Sequence, residues 1–200
     1  MGSRRLIYEM IYGGAKDETK LHWHNEESPI LLKKAMESLH DGCNALDIGC
    51  GTGVNSVFMA QNGLKVTGID FIPKALAFAR ERAKKSQVDV DLVQSDVTEF
   101  YNAEKFDLIL DNGCLHTFDN RKRVKYKEKL LSLMSDRANY VLLHISKSKP
   151  LDFGLGPKGK SKDEIERFFG PELRLVEFLP RAGGMPFHQY RFVRNYAEAA

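Results

Sequence analysis

No apolar run in this 200-residue sequence approaches the ~18–20 residues that a membrane-crossing helix needs, so no spanning helix is expected. Met1-Gly2-Ser3-Arg4-Arg5 leads into no apolar signal core, and Leu6 stands where N-myristoylation requires Ser or Thr. Neither secretion nor a lipid anchor is expected. Cysteine is scarce: Cys43, Cys50 and Cys114 are odd in number, near expected strand ends, and lack metal-ligand spacing. That pattern points to reduced thiols in a cytoplasmic protein, with no disulfide framework and no metal site. Neither sign of charge dominates, and a net +3 does not by itself argue for nucleic acid. At 42% apolar and 28% charged residues the chain is not disordered, and its length suits one domain with a sheet covered on both faces. Internal repeats and interdomain linkers are also missing.

What the sequence does have is Asn44-Ala45-Leu46-Asp47-Ile48-Gly49-Cys50-Gly51-Thr52-Gly53, followed by Lys65-Val66-Thr67-Gly68-Ile69-Asp70. An apolar strand runs into three glycines spaced two apart, a helix follows, and a second apolar strand ends on an aspartate. Glycine serves where backbone turns sharply or must come within contact distance of a ligand. The helix start aims unpaired N–H groups at whatever lies over the loop. Asp70, 21 residues past Gly49, stands where a carboxylate can accept hydrogen bonds from both hydroxyls of a ribose. The unit reads as a nucleoside-binding βαβ. The dinucleotide fingerprint would be G-x-G-x-x-G. Here Gly49-x-Gly51-x-Gly53 follows Asp47, whose charge repels a pyrophosphate and suits a ligand carrying an ammonium and a sulfonium. A nicotinamide or flavin site remains the alternative.

Leu46-Asp47-Ile48-Gly49-Cys50-Gly51-Thr52-Gly53 resembles the first motif of class I S-adenosylmethionine-dependent methyltransferases. The resemblance implies that Gly49, Cys50 and Gly51 pass under the methionyl part of S-adenosylmethionine, with Asp47 near its amino group and Gly53 and Asn55 completing the loop. Asp70 would take the ribose hydroxyls, and Phe71 or Ile72 would lie against the adenine. Ser95-Asp96-Val97, at the end of strand three, would read the adenine amino group; an ordinary turn with an N-cap is the plainer reading. Asp111-Asn112-Gly113-Cys114 takes the place beside the transferable methyl. It lacks the prolines of the Asp/Asn-Pro-Pro-aromatic run used by enzymes that methylate nucleobase amines. With Leu115-His116 following, it looks more like thiopurine- and thiol-type small-molecule enzymes. In that group an N-terminal aromatic covers the cofactor, a role open to Trp23, for which simple packing is the other reading.

The expected elements are two helical pieces over 5–40, with Pro29 at the first position of the second, then strands at about 43–48, 65–69, 88–93, 106–111, 139–145, 172–179 and 187–194. Helices fill the gaps, a basic one over about 121–135 and a short one capped by Ser161. The expected fold class is α/β: a single doubly wound, mostly parallel seven-stranded sheet, Rossmann-like, whose last strand is antiparallel as the resemblance implies. Residues 1–40 would form an N-terminal helical cap and 41–200 the methyltransferase domain, together one structural unit.

His116, just past strand four, is the best-placed general base, because a neutral imidazole can accept a proton near pH 7; a packed histidine is the alternative. His144 and His188 are weaker candidates. His22 and His24 alternate as if extended but have no third ligand nearby. The acceptor pocket would be roofed by the N-terminal segment, the loop 147–160 and the hairpin 180–187, offering Tyr8, Tyr12, Phe118, Phe153, Arg181 and Phe187. Arg121-Lys122-Arg123-Val124-Lys125-Tyr126-Lys127-Glu128-Lys129 holds six basic residues in nine. With Lys147, Lys149, Lys158, Lys160 and Lys162 it could meet phosphates, although one solvated helix face is the plainer reading. The expected function is methyl transfer from S-adenosylmethionine to a small molecule, at a thiol or other soft nucleophile, by a monomer or homodimer. An RNA- or protein-modifying methyltransferase using the basic helix, or a non-catalytic S-adenosylmethionine-binding protein, are the alternatives.

Overall fold

The computed structural model describes residues 3–15, 17, 19, 21, 26–146, 159–180 and 187–195. Apolar runs bounded by glycine and proline become strands β1 (Asn44–Ile48), β2 (Lys65–Asp70), β3 (Asp91–Gln94), β4 (Phe106–Asn112), β5 (Met134–Ile145), β6 (Leu173–Leu179) and β7 (Phe187–Arg194). The helices are α1 (Ser3–Gly14), α2 (Ile30–Met36), α3 (Val54–Gln61), α4 (Pro73–Lys85), α5 (Asn120–Leu133) and α6 (Lys162–Phe169). The strands form one sheet in the order β3-β2-β1-β4-β5-β7-β6. β1 to β5 are parallel to one another, and β7 runs antiparallel to both β5 and β6. Strand order reverses between β1 and β4, which places the ligand crevice at their carboxyl ends.

Alternating side chains divide the core between the two faces. Leu46, Ile48, Ile109, Tyr140 and Leu142 pack with Tyr126, Leu130 and Leu133 of α5 and Ile165 and Phe169 of α6. Ala45, Leu108, Leu110, Val141 and Leu143 pack against Leu31, Leu32 and Ala35 of α2 and Met59 of α3. A third cluster joins Tyr12 of α1, Ala15 and Leu21 to Ile72 and Ala75 at the start of α4. This contact lays α1 beside the carboxyl ends of the strands. No helix among the described residues is long and apolar enough to cross a membrane.

Three boundaries differ from expectation. Pro29 is the N-cap of α2, with ψ 143°, and the helix begins one residue later. β3 is shorter than the alternation from Val88 suggests, because the Val88 N–H bonds back to the Ala83 carbonyl and closes the end of α4. β5 starts directly at the end of α5. Its polar Ser135, Asp136 and Arg137 occupy a register shift opposite Phe106 and Leu108, where the hydrophobic pattern is silent. Ser161 caps α6 through a reciprocal bond pair with Glu164, as its position indicates.

Candidate active site at the strand ends

The glycine loop is held by its neighbours. Cys50 N–H bonds to the Ile69 carbonyl at 2.9 Å, tying the loop to β2, and Ser95 N–H bonds to the Asp70 carbonyl at 3.1 Å, tying in the end of β3. Gly51 and Gly53 both have positive φ, 54° and 79°. A Cβ on Gly53 would lie 2.8 Å from the Cβ of Ala79, so only glycine lets α3 start this close to α4. A Cβ on Gly51 would lie 3.0 Å from the Tyr12 hydroxyl, which brings α1 directly over the loop.

Asp70 is buried at the end of β2. Its Oδ2 accepts the Gly51 N–H at 3.0 Å and its Oδ1 accepts the Ile72 N–H at 2.8 Å. Each oxygen keeps a second lone pair for a ligand hydroxyl. Burial raises its pKa, against the pull of those backbone donors. Phe71 lines the crevice and meets Tyr8 of α1 edge-on at 6.3 Å, whereas Ile72 turns into the third cluster with Tyr12 and Ala75. The crevice itself is lined by Ile48, Gly49, Asp70, Phe71, Ser95, Asp96, Val97, Cys114, Phe118 and Lys122. Distant parts of the sequence therefore converge where the adenosyl group was expected.

Two aspartates stand differently from what their sequence positions suggest. Asp47 is 1% exposed, and its Oδ2 accepts the Ser56 hydroxyl at 2.6 Å beneath the loop. Burial pushes it up to about 7, opposed by Ser56 and reinforced by the carboxylates of Asp70 and Asp111. Asp111 is fully buried and faces away from solvent. It accepts the Cys114 N–H at 2.6 Å, the Leu115 N–H at 3.0 Å and the Tyr126 hydroxyl at 2.6 Å. Burial raises it to about 6, despite those donors. Asp111 thus shapes the exit loop of β4, while Asn112 beside it is exposed. Asn55, in the first turn of α3, is buried and its Oδ1 has no partner among the described residues.

Asp96 does act as a turn cap. Its Oδ1 takes the Thr98 N–H and hydroxyl, and its Oδ2 pairs with Lys122 at 2.5 Å. Although burial pushes its pKa up, Lys122 and Thr98 win and hold it below the usual range. Lys122 also lies 4.5 Å from the centre of the Phe118 ring. Sequence reasoning placed Phe118 in the acceptor roof and Lys122 in a charge run, and it gave Cys114 no contact with the nucleoside. Only the span of 26 residues between Asp96 and Lys122, closed by folding, reveals the pair.

Half of the basic run is taken up within the fold. Lys122 is bound to Asp96, Arg123 is buried, and Lys127 pairs with Glu172 at 2.7 Å. His116 is buried, with its ring 5.8 Å from that of His144 and 5.9 Å from that of Phe187. Trp23, His22, His24, Phe153, Arg181, Lys147, Lys149 and Lys158 lie outside the described residues.

Residues 39–168 match the family model described as a methyltransferase domain. The chain is 38% identical over 111 residues to a ribosomal protein L11 methyltransferase of Thermosipho africanus, a match covering 54% of this chain and 38% of that protein. It is 26% identical over 166 residues to a 2-heptyl-1-hydroxyquinolin-4(1H)-one methyltransferase of Mycobacteroides abscessus, covering 80% of this chain and 72% of that one. The fold resembles the crystal structure of the N-methyltransferase NodS from Bradyrhizobium japonicum in complex with S-adenosyl-L-homocysteine. That match has a TM-score of 0.77 at 20% identity and covers 96% of this chain and 98% of that one.

Proposed function

The chain belongs to the methyltransferase-domain family, and from that premise we propose that it binds S-adenosylmethionine and passes the methyl group to a small organic acceptor. One observation carries the choice of donor. Asp47, Asp70 and Asp111 lie buried close enough to raise Asp47's pKa, and none has a cationic partner among the described residues. A ligand with a sulfonium and an ammonium relieves that repulsion, and a pyrophosphate worsens it. The partnerless Oδ1 of Asn55 and the glycine cradle below Tyr12 fit the same ligand.

In this reading Asp70 holds the ribose, and Phe71, Ser95, Asp96 and Val97 surround the adenine. Gly49, Cys50, Gly51, Gly53 and Asn55 receive the methionyl part, with Trp23 as a cover. Bound there, S-adenosylmethionine supplies a methyl already activated by the sulfonium. The chain's own task is to align a nucleophile and exclude water, for which Tyr8 and Tyr12 of α1 form one wall and His116 and Phe187 another.

The match over most of both lengths to an enzyme named for a quinolone substrate supports a small acceptor. A thiol or similarly soft nucleophile is our finer assignment, because Asp111-Asn112-Gly113 lacks the prolines expected for nucleobase amines. The ribosomal-protein relative favours a macromolecular acceptor as a second reading, but its match reaches just over half of this chain. The internal pairing of Lys122 and Lys127 removes part of the charge that such an acceptor would use. Three free thiols support a cytoplasmic, reducing setting.

Isothermal titration with S-adenosylhomocysteine, against NAD, tests the donor. Binding of NAD without binding of the thioether would overturn the proposal. Incubation of methyl-labelled donor with a panel of thiols and phenols, and separately with total RNA and protein, tests the acceptor; label confined to the macromolecules would refute the small-molecule reading.

A further inference from the structure

His144 is the penultimate residue of β5, one beyond Leu143, the register partner of Asn112, and so stands beside the exit loop of β4. Its side chain is fully buried. Nδ1 lies 2.7 Å from the Ile145 carbonyl oxygen. A carbonyl only accepts, so Nδ1 carries the hydrogen and Nε2 is left as a bare lone pair. That Nε2 is buried and meets no donor among the described residues, although it has a hydrogen bond's worth of capacity. Buried acceptors without a donor are rare in folded proteins and costly to keep.

The surroundings define what could complete it. The His116 ring stands edge-on at 5.8 Å, on the loop that also carries Cys114 into the donor crevice. Across the antiparallel pair, His188 is the register partner of His144, and its buried Nδ1 also has no hydrogen-bond partner among the described residues. Arg123 of α5, and Lys160 and Glu164 at the start of α6, are the charged groups that act on His144; Lys160 and Glu164 pair with each other at 3.0 Å. Burial, helped by Arg123 and Lys160, pushes the imidazole down to about 4, so it is neutral at physiological pH. A neutral ring with a fixed tautomer and one open lone pair calls for a hydrogen-bond donor.

We infer that the ends of β5 and β7 form the acceptor subsite, and that His144 Nε2 accepts the hydrogen bond of an uncharged acceptor's own X–H group, a hydroxyl, N–H or thiol. This rests on the methyl-transfer reading above and adds the protonation state in which the acceptor is recognised. His144 is therefore the specificity residue: it favours an acceptor that arrives protonated and disfavours an ether or thioether, which has no hydrogen to give.

The test uses the full chain labelled with 15N-histidine and saturated with S-adenosylhomocysteine, with phenol and anisole as probes. Nuclear magnetic resonance of the free protein is expected to show His144 protonated on Nδ1 alone. Phenol is expected to shift the Nε2 resonance and anisole to leave it unmoved. His144→Phe is expected to weaken phenol binding by about tenfold or more, and His144→Gln, which keeps an acceptor, by less than about threefold, each with S-adenosylhomocysteine affinity within about twofold of wild type. An Nε2 resonance untouched by phenol, or moved equally by anisole, overturns the inference on the unmodified protein. Failure of S-adenosylhomocysteine to bind would instead strike the donor reading, which the tautomer measurement does not depend on.

Discussion

Tyr126 of α5 donates its hydroxyl hydrogen to Asp111 of β4 at 2.6 Å, in a site where neither residue touches solvent. Tyr140 of β5 joins at 2.9 Å from the Tyr126 oxygen, so a helix and two strands share one polar contact inside the apolar core. Through Asp111 that contact reaches the N–H groups of Cys114 and Leu115, and hence the loop that borders the crevice. Tyr126→Phe removes the hydroxyl and leaves a buried carboxylate with fewer donors. The expected loss of stability is about 2–3 kcal/mol, read by urea denaturation near neutral pH. Because Tyr126 also lowers the pKa of Asp111, the variant's Asp111 takes its proton at higher pH, so the loss should shrink as pH falls towards about 6 and level off below it, where Asp111 is protonated in both proteins.

Gly53→Ala sets a methyl group 2.8 Å from the Ala79 Cβ at a φ of 79°. Gly42 has a similar φ of 83° and open space around it. Alanine at 42 should therefore cost about 1–2 kcal/mol for backbone strain alone. Alanine at 53 should cost about 1–3 kcal/mol more, from overpacking. Denaturation of the two variants side by side isolates the packing between α3 and α4; equal losses would show that Ala79 yields freely.

Asp47 rises from 3.8 to about 7 on folding. The native state therefore holds its proton over a range in which the unfolded chain has released it. The stabilising effect of that proton is complete at low pH and is lost as pH climbs through about 7. Asp47→Asn, neutral throughout, should gain stability relative to wild type between about pH 5 and 8.5, by up to ~4 kcal/mol. Paired thermal or denaturant unfolding across that range measures it. Wild-type affinity for S-adenosylmethionine should also increase through neutral pH as Asp47 ionises, and the Asn variant should show a flatter profile by calorimetry.

Asp70→Ala should weaken S-adenosylhomocysteine binding by about tenfold or more, since charge-assisted hydrogen bonds contribute ~1.5–3 kcal/mol. Asp70→Asn should fall between the two, because its one carbonyl oxygen can accept and its amide cannot serve the Gly51 N–H. An affinity for the alanine variant within about twofold of wild type would remove Asp70 from the ribose position.

The glycine loop and its βαβ unit were largely legible because their signals are local. The glycines, the strand before them and Asp70 lie within a single βαβ unit, where spacing along the chain maps directly onto distance in space. Side-chain direction was harder to read. β4 is buried on both faces, so its apolar run does not reveal that Asp111 faces Tyr126. Contacts between remote segments left no mark at all: nothing near Asp96 announces Lys122, and nothing near Gly51 announces Tyr12. The start of β5 escaped notice because Ser135, Asp136 and Arg137 are polar residues in a bulged strand, indistinguishable by pattern from a loop.

The position of β7 in the sheet has a consequence for how the molecule comes into being. The five parallel strands β3-β2-β1-β4-β5 are complete at residue 145, and the residues lining the crevice at their carboxyl ends stop at Lys122. β7, last in sequence, enters between β5 and β6 and brings His188 opposite His144. A chain growing from its amino end thus possesses every residue lining this crevice while the sheet still lacks its final strand. Until β7 arrives, β5 keeps an open edge, and the crevice and the far side of the sheet are completed at different times.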